Sequence, residues 1–278
     1  MMNKRINIFI TCIGLMGLTF GCLPEKEVEI EIPPYERQLV VECFMEVGSP
    51  FRLLVSESIG FFEPQDTPII AGAEVVISHN GVHDTLPQGL YFDPMGLKIF
   101  NFASSNTVPA DFNTEYSLSV KYPDGRHITG TAKVMPKVEL EPMTASFNAD
   151  SNASVLVRWP DQVGQQNFYR LALFKGKVFD PNPDNENTQL LDFTLDDRIG
   201  DGEMFTIGTL FDFKSGDTII AQLYHIDQPY WRYINSLDDA ASSNGNPFAQ
   251  PGVIRSTVSG GIGVFTGYQF DRDTLIIP

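Results

Sequence analysis

From Gln38 onward, short apolar runs alternate with turn residues. Runs at 39–45, 51–56, 73–78, 89–92, 98–102, 116–122 and 127–134 have the length and the period-two character of strands. Asn80-Gly81 stands between Val75-Val76-Ile77 and Val82, and Asp124-Gly125 stands between Leu118-Ser119-Val120 and Ile128. Both dipeptides supply the positive φ that tight hairpins require. Residues 38–136 therefore read as an antiparallel β-sandwich. Pro136, followed by Val138-Glu139-Leu140-Glu141, opens a second series at 154–159, 168–173, 190–195, 204–207, 218–225, 262–268 and 274–277, so that 137–278 reads as a second sandwich. A single helix is predicted over 228–242: Asp227 caps it, Pro229 suits its first turn, and Ser242-Ser243-Asn244-Gly245 stops it. Its apolar stripe is Tyr230, Tyr233, Ile234, Leu237 and Ala241. Trp231 and Arg232 fall off that stripe, and packing against the following loop is the expected use of Trp231. The predicted class is all-β, two sandwiches in tandem with one short helix.

The first 37 residues follow another pattern. Lys4 and Arg5 precede an apolar run over 6–20, then Gly21 and Cys22, which is the layout of a secretory signal ending at a cysteine. The run is shorter than the ~20 residues of a bilayer span, and the acidic stretch from Pro24 to Glu29 follows it in place of a basic flank. Gly21-Cys22 resembles the bacterial lipobox, with Thr19 standing where that box carries Leu. The expectation is a signal peptide over 1–21, acylation of Cys22, and a charged, Pro33-Pro34-stiffened tether over 22–37.

Charge narrows the partners. Nineteen bases against thirty-five acids leave −16, or −18 once Lys4 and Arg5 depart with the signal. Nucleic acid, whose phosphates demand a basic surface, is excluded as a partner, and so is attraction to anionic lipid through a basic patch. Of the three cysteines, Cys12 leaves with the signal and Cys22 carries lipid, so Cys43 has no intrachain partner. Its place in an apolar strand marks it as a packed thiol rather than a nucleophile.

No motif places an acid, a base and a nucleophile together, and no phosphate-binding loop is present, so neither catalysis nor a cofactor is expected. His79 and His83 flank the Asn80-Gly81 turn and lack a third metal ligand in sequence. Gly260-Gly261-Ile262-Gly263 leads into Val264-Phe265, a strand, which points to a bulge or a close backbone contact. The calcium candidate is the loop Asp180, Asn182, Asp184, Glu186, near Asp192, Asp196, Asp197 and Asp201. Asn185 replaces the turn glycine and Leu191 the bidentate acid of an EF-hand, so a solvated acidic loop without tight calcium binding is expected. Phe61 and Phe62, together with Phe248 between Pro247 and Pro251, are candidate partner contacts, the alternative being that they plug the sandwich ends.

Three resemblances add to this reading. Trp159 on one strand and Tyr169 on the next resemble the core pair of fibronectin type III modules. The stretch 72–91 is similar to the transthyretin-like, carboxypeptidase-regulatory sandwich, which implies a structural module. The order Leu39-Val40-Val41-Glu42, Gly72-Ala73-Glu74-Val75, Gly89-Leu90-Tyr91, Tyr116-Ser117-Leu118, Asp124-Gly125, Pro136, Asp201-Gly202, Asn246-Pro247-Phe248 and Gly260-Gly261-Ile262-Gly263-Val264-Phe265 resembles the lipoprotein family known as domain of unknown function 4249. That resemblance implies an outer-membrane lipoprotein without assigned activity, often encoded beside TonB-dependent receptors, and exported to the cell surface when acids follow the lipidated cysteine. It also implies O-glycan acceptors in Asp-Thr-aliphatic tripeptides, here Thr85, Thr218 and Thr274. The expected function is a binding or accessory subunit of a TonB-dependent transporter. Alternatives are a structural or adhesive surface lipoprotein and, further off, a glycan-processing hydrolase.

Overall fold

The structure, a computed structural model, describes residues 35–278 apart from 61–62, 65–67, 94–97, 113, 179–188, 199 and 244–251. The strands are β1 (Leu39–Glu46), β2 (Pro50–Glu57), β3 (Glu74–His79), β4 (Val82–Thr85), β5 (Gln88–Asp93), β6 (Lys98–Thr107), β7 (Glu115–Lys121) and β8 (His127–Lys133). Then come β9 (Glu141–Phe147), β10 (Ala153–Pro160), β11 (Phe168–Lys175), β12 (Gln189–Asp196), β13 (Met204–Gly208) and β14 (Thr218–Ile226). The helix α1 (Gln228–Ser243) precedes β15 (Val258–Ser259) and β16 (Ile262–Ile276). The class is all-β, as the alternation predicts. Asn80 and Gly81 both have positive φ, and the β3–β4 hairpin closes on them with His79 opposite Val82.

One sheet of eight strands runs in the order β12-β11-β14-β16-β1-β2-β6-β5, and smaller sheets, β15-β8-β7-β3-β4 and β13-β10-β9, pack on it. Alternate residues Leu39, Val41, Cys43 and Met45 of β1 enter the first core with Phe51, Ile77, Tyr116 and Ile128. The second core gathers Trp159, Tyr169, Leu171, Ala221, Leu223 and Ile277. β10 and β11 lie in different sheets, and Trp159 meets Tyr169 edge-on across the core at 5.7 Å. The two cores divide the chain near Pro136, with Val258 and Phe265 returning to the first.

The C-terminal strands differ from expectation. Instead of two, at 262–268 and 274–277, there is one strand of 15 residues. Its first half pairs in parallel with β1, its second half antiparallel with β14, and this joins the sheets of both cores. The polar stretch Gln269-Phe270-Asp271-Arg272-Asp273, read as a break, carries structural work: Asp271 accepts from Leu140 N–H at 2.8 Å and Asp273 from Met143 N–H at 2.7 Å. Residues 37–278 accordingly form a single compact unit.

The helix begins as its sequence predicts: the Tyr230 N–H donates to Asp227 Oδ1 at 3.0 Å. Its stripe is shorter than expected. Tyr230 and Ser236 are buried and Trp231 packs on the Phe168 ring at 5.2 Å, while Leu237 and Ala241 are exposed. Burial pushes the Asp227 carboxyl up to about 6. Since that lies above the ordinary value of 3.8, ionisation is harder in the folded state, and stability falls as pH rises from about 4 to about 6. Asp227→Asn keeps an acceptor for Tyr230 and removes the buried charge. It should add about 1 to 3 kcal/mol at pH 7 and nothing below pH 4, read from urea melts at the two pH values.

Candidate functional site

In β1, β14 and β16 the residues facing away from the cores are not uniformly polar. Phe44 and Glu42 on β1, Tyr224 on β14, Tyr268 on β16 and Arg170 on β11 share one face of the large sheet, because their partners in the ladder share it. The first turns of α1 lean over this face with Tyr230 and Tyr233. Between helix and sheet lies a cleft of about 700 Å³ that these residues line together with Lys98 and Asp192.

The cleft presents ring faces and charged groups side by side. Arg170 donates from Nε to Asp192 Oδ1 at 2.7 Å and from Nη2 to Oδ2, a fork that fixes the guanidinium 5.5 Å over the Tyr224 ring. Tyr224 meets Tyr268 edge-on at 5.6 Å, Phe44 meets Tyr230 at 6.1 Å, and Lys98 Nζ stands 4.4 Å over Phe44. The Asp192 bond holds the Arg170 guanidinium well above its usual range. Burial pushes the Tyr224 and Tyr233 phenols up to about 12, and Tyr230 and Tyr268 rise from the same cause. All four phenols therefore stay protonated at neutral pH. The site offers hydrogen-bond donors, one forked cation and apolar ring faces, which suits a ligand with flat apolar faces and polar edges.

Most residues singled out from sequence lie elsewhere. Cys22, Phe61, Phe62, Phe248 and the loop Asp180, Asn182, Asp184, Glu186 lie outside the described residues. Thr85 and Thr274 are exposed on β4 and β16, while Thr218 is half-buried at the start of β14. Asp84 beside Thr85 is buried and accepts from Asn106. Cys43 is fully buried and burial pushes its thiol up, which makes it an inert packing group.

The histidine pair separates. With His79 opposite Val82 and Ser78 opposite His83, the two imidazoles point to opposite faces of the hairpin. His79 Nε2 lies 3.2 Å from Asp84 Oδ2 and His83 Nδ1 lies 2.7 Å from Ser78 Oγ. The Gly260-Gly261-Ile262-Gly263 stretch is a close backbone contact: Gly263 has φ +135° and lies against the Val41 carbonyl.

The cleft itself was not read from the sequence. In the sequence Tyr230 and Tyr233 belong to the apolar stripe of the helix, and Tyr224 and Tyr268 to apolar strands. The available signal is that β1, β14 and β16 place Phe44, Tyr224 and Tyr268 out of phase with their core-facing positions, where a solvated face would carry polar residues.

Among the described residues no helix is long and apolar enough to cross a membrane. No curated protein matches the sequence. Similar solved structures include a cytokine receptor complex in crystal form 1A (11% identity, 84% of this chain and 94% of that one, TM-score 0.27). Another is a DUF4785 family protein from Legionella pneumophila (12% identity, 66% of this chain and 52% of that one, TM-score 0.27). Likeness at that score supports no inference about fold or function. The profile of one family, described as "Domain of unknown function (DUF4249)", matches residues 25–274, and the chain belongs to that family.

Proposed function

We propose that this protein is a lipid-anchored, surface-exposed outer-membrane protein serving a TonB-dependent β-barrel transporter as a non-enzymatic ligand-binding subunit. The observation that carries the binding role is the cleft of about 700 Å³ under α1, within the range of small-molecule sites and walled by Tyr224, Tyr230, Tyr233 and Tyr268 around the Arg170–Asp192 fork. The anchor rests on Lys4-Arg5, the apolar run and Gly21-Cys22. The transporter follows from the anchor and the family resemblance.

A detergent pull-down from native membranes tests the partnership: a β-barrel protein should co-purify, and its repeated absence would count against the proposal. Cys22→Ser should abolish fatty-acid labelling and release the protein from membranes, because each buried methylene of the acyl chains contributes ~0.8 kcal/mol. Unchanged labelling would remove the anchor. A second reading, a structural or adhesive surface protein, is favoured by one feature: Leu90, Phe92 and Ile99 are exposed on the edge hairpin β5–β6. Growth on defined nutrients separates the two. Loss of a transport subunit gives a substrate-specific defect, and loss of an adhesin does not.

A further inference from the structure

Three carboxylates converge at one end of the second core. Asp161 follows β10, Asp197 and Asp201 follow β12, and an oxygen from each lies within 4.8 Å of the others. Asp161 and Asp197 are buried, at 8% and 3% exposure. Their described partners are neutral donors. Tyr169 Oη donates to Asp161 Oδ1 at 2.6 Å and Gly202 N–H to Asp161 Oδ2 at 2.8 Å. Asn167 N–H donates to Asp197 Oδ2 at 2.6 Å and Gly164 N–H to Asp201 Oδ1 at 2.8 Å. Among the described residues no lysine or arginine forms an ion pair with these three.

Asn167 supplies an independent observation. The residue is fully buried between Asp161 and Asp197: its backbone binds the second, and its Nδ2 donates to Asp161 Oδ1 at 3.2 Å and to the carbonyls of Gln162 and Gln165 at 2.8 and 3.1 Å. These three acceptors fix which end of the amide is nitrogen. The other end, Oδ1, has no hydrogen-bond partner. A buried carbonyl oxygen without a donor, on an amide that already touches the carboxylates, is a cation ligand in waiting.

We propose that Asp161, Asn167, Asp197 and Asp201 form a calcium site that ties the β10–β11 loop to the β12–β13 turn. The all-oxygen donor set suits calcium. Calcium takes about six to eight oxygens directly, and a buried amide carbonyl beside three carboxylates supplies several of them, whereas magnesium keeps most of its waters. Because Tyr169 both donates to Asp161 and packs on Trp159, an ion here braces the end of the second core.

The test is a melt of the purified full-length protein in calcium chloride, in magnesium chloride and in EDTA, with terbium emission sensitised by Trp159 as a second reading. Calcium should raise the melting temperature by several degrees and saturate at one ion per chain, with magnesium clearly weaker. Asp201→Asn keeps an acceptor for Gly164 while removing a charge. It should weaken calcium binding at least tenfold yet leave the EDTA melting temperature unchanged or higher. Asp161→Asn should likewise abolish terbium emission, and the double change Asp180→Asn, Asp184→Asn should leave the response intact. The proposal fails if millimolar calcium gives no shift, if the shift survives both Asp201→Asn and Asp161→Asn, or if it disappears with the Asp180 and Asp184 changes.

Discussion

Trp159→Ala should cost about 3 to 5 kcal/mol, the range for emptying a buried aromatic site. Trp159 is 0% exposed, stacks on Phe205 at 5.2 Å with the rings 9° apart, and meets Tyr169 edge-on. Its indole nitrogen has no partner among the described residues, so the loss is one of packing rather than of a hydrogen bond. Trp159→Phe, which keeps a ring against Phe205, should lose less. Urea unfolding followed by circular dichroism measures both. Because β16 belongs to the sheet behind both cores, the variant should show one transition at lower urea rather than a loose second module beside an intact first one. A midpoint equal to wild type would remove Trp159 from the core, and two separated transitions would show that β16 does not couple the cores.

Gly263→Ala should be comparably damaging, at least about 3 kcal/mol, and should reduce the yield of folded protein. Two causes add. Gly263 has φ +135°, which side-chain-bearing residues rarely adopt, and a Cβ there would run into the backbone of Val41 on the neighbouring strand. β1 and β16 pair at that point, Val41 opposite Gly263, so the clash cannot relax without parting the central strands of the sheet. Gly48→Ala is the control. Gly48 has φ +83° with nothing within 4 Å of the added carbon, so its cost should stay at about 1 to 2 kcal/mol. Equal losses at the two positions would mean that φ alone, not the contact with Val41, explains Gly263.

Features that depend on neighbours a few residues apart were legible in the chain. Asn80-Gly81 sets a hairpin because its two positive φ values satisfy a turn of two residues. Asp227 and Pro229 start α1 through contacts inside its first turn. Alternation in β1 placed Cys43 inward, and the glycines at 260–263 announced a close backbone approach before their neighbour was known. Trp159 and Tyr169 on successive strands form one core pair, as their resemblance to the fibronectin type III pair implies.

What remained hidden depends on pairing between distant segments. Val40 lies opposite Ile262, and no local rule couples positions so far apart in the chain, so β16 looked like two strands and its role in joining the cores was invisible. The cleft needs four strands and a helix to bring Phe44, Arg170, Tyr224, Tyr230 and Tyr268 to one face, and each of these residues alone is an ordinary aromatic or basic strand or helix position. The acidic cluster shows the same limit. Asp197 and Asp201 stood out in sequence as neighbours of an acidic loop, but Asp161 and Asn167 join them only because the end of β10, the start of β11 and the turn after β12 meet at one end of the second core. Local sequence sets which face each side chain takes on its own element, whereas the burial of two cores against one sheet sets which faces meet.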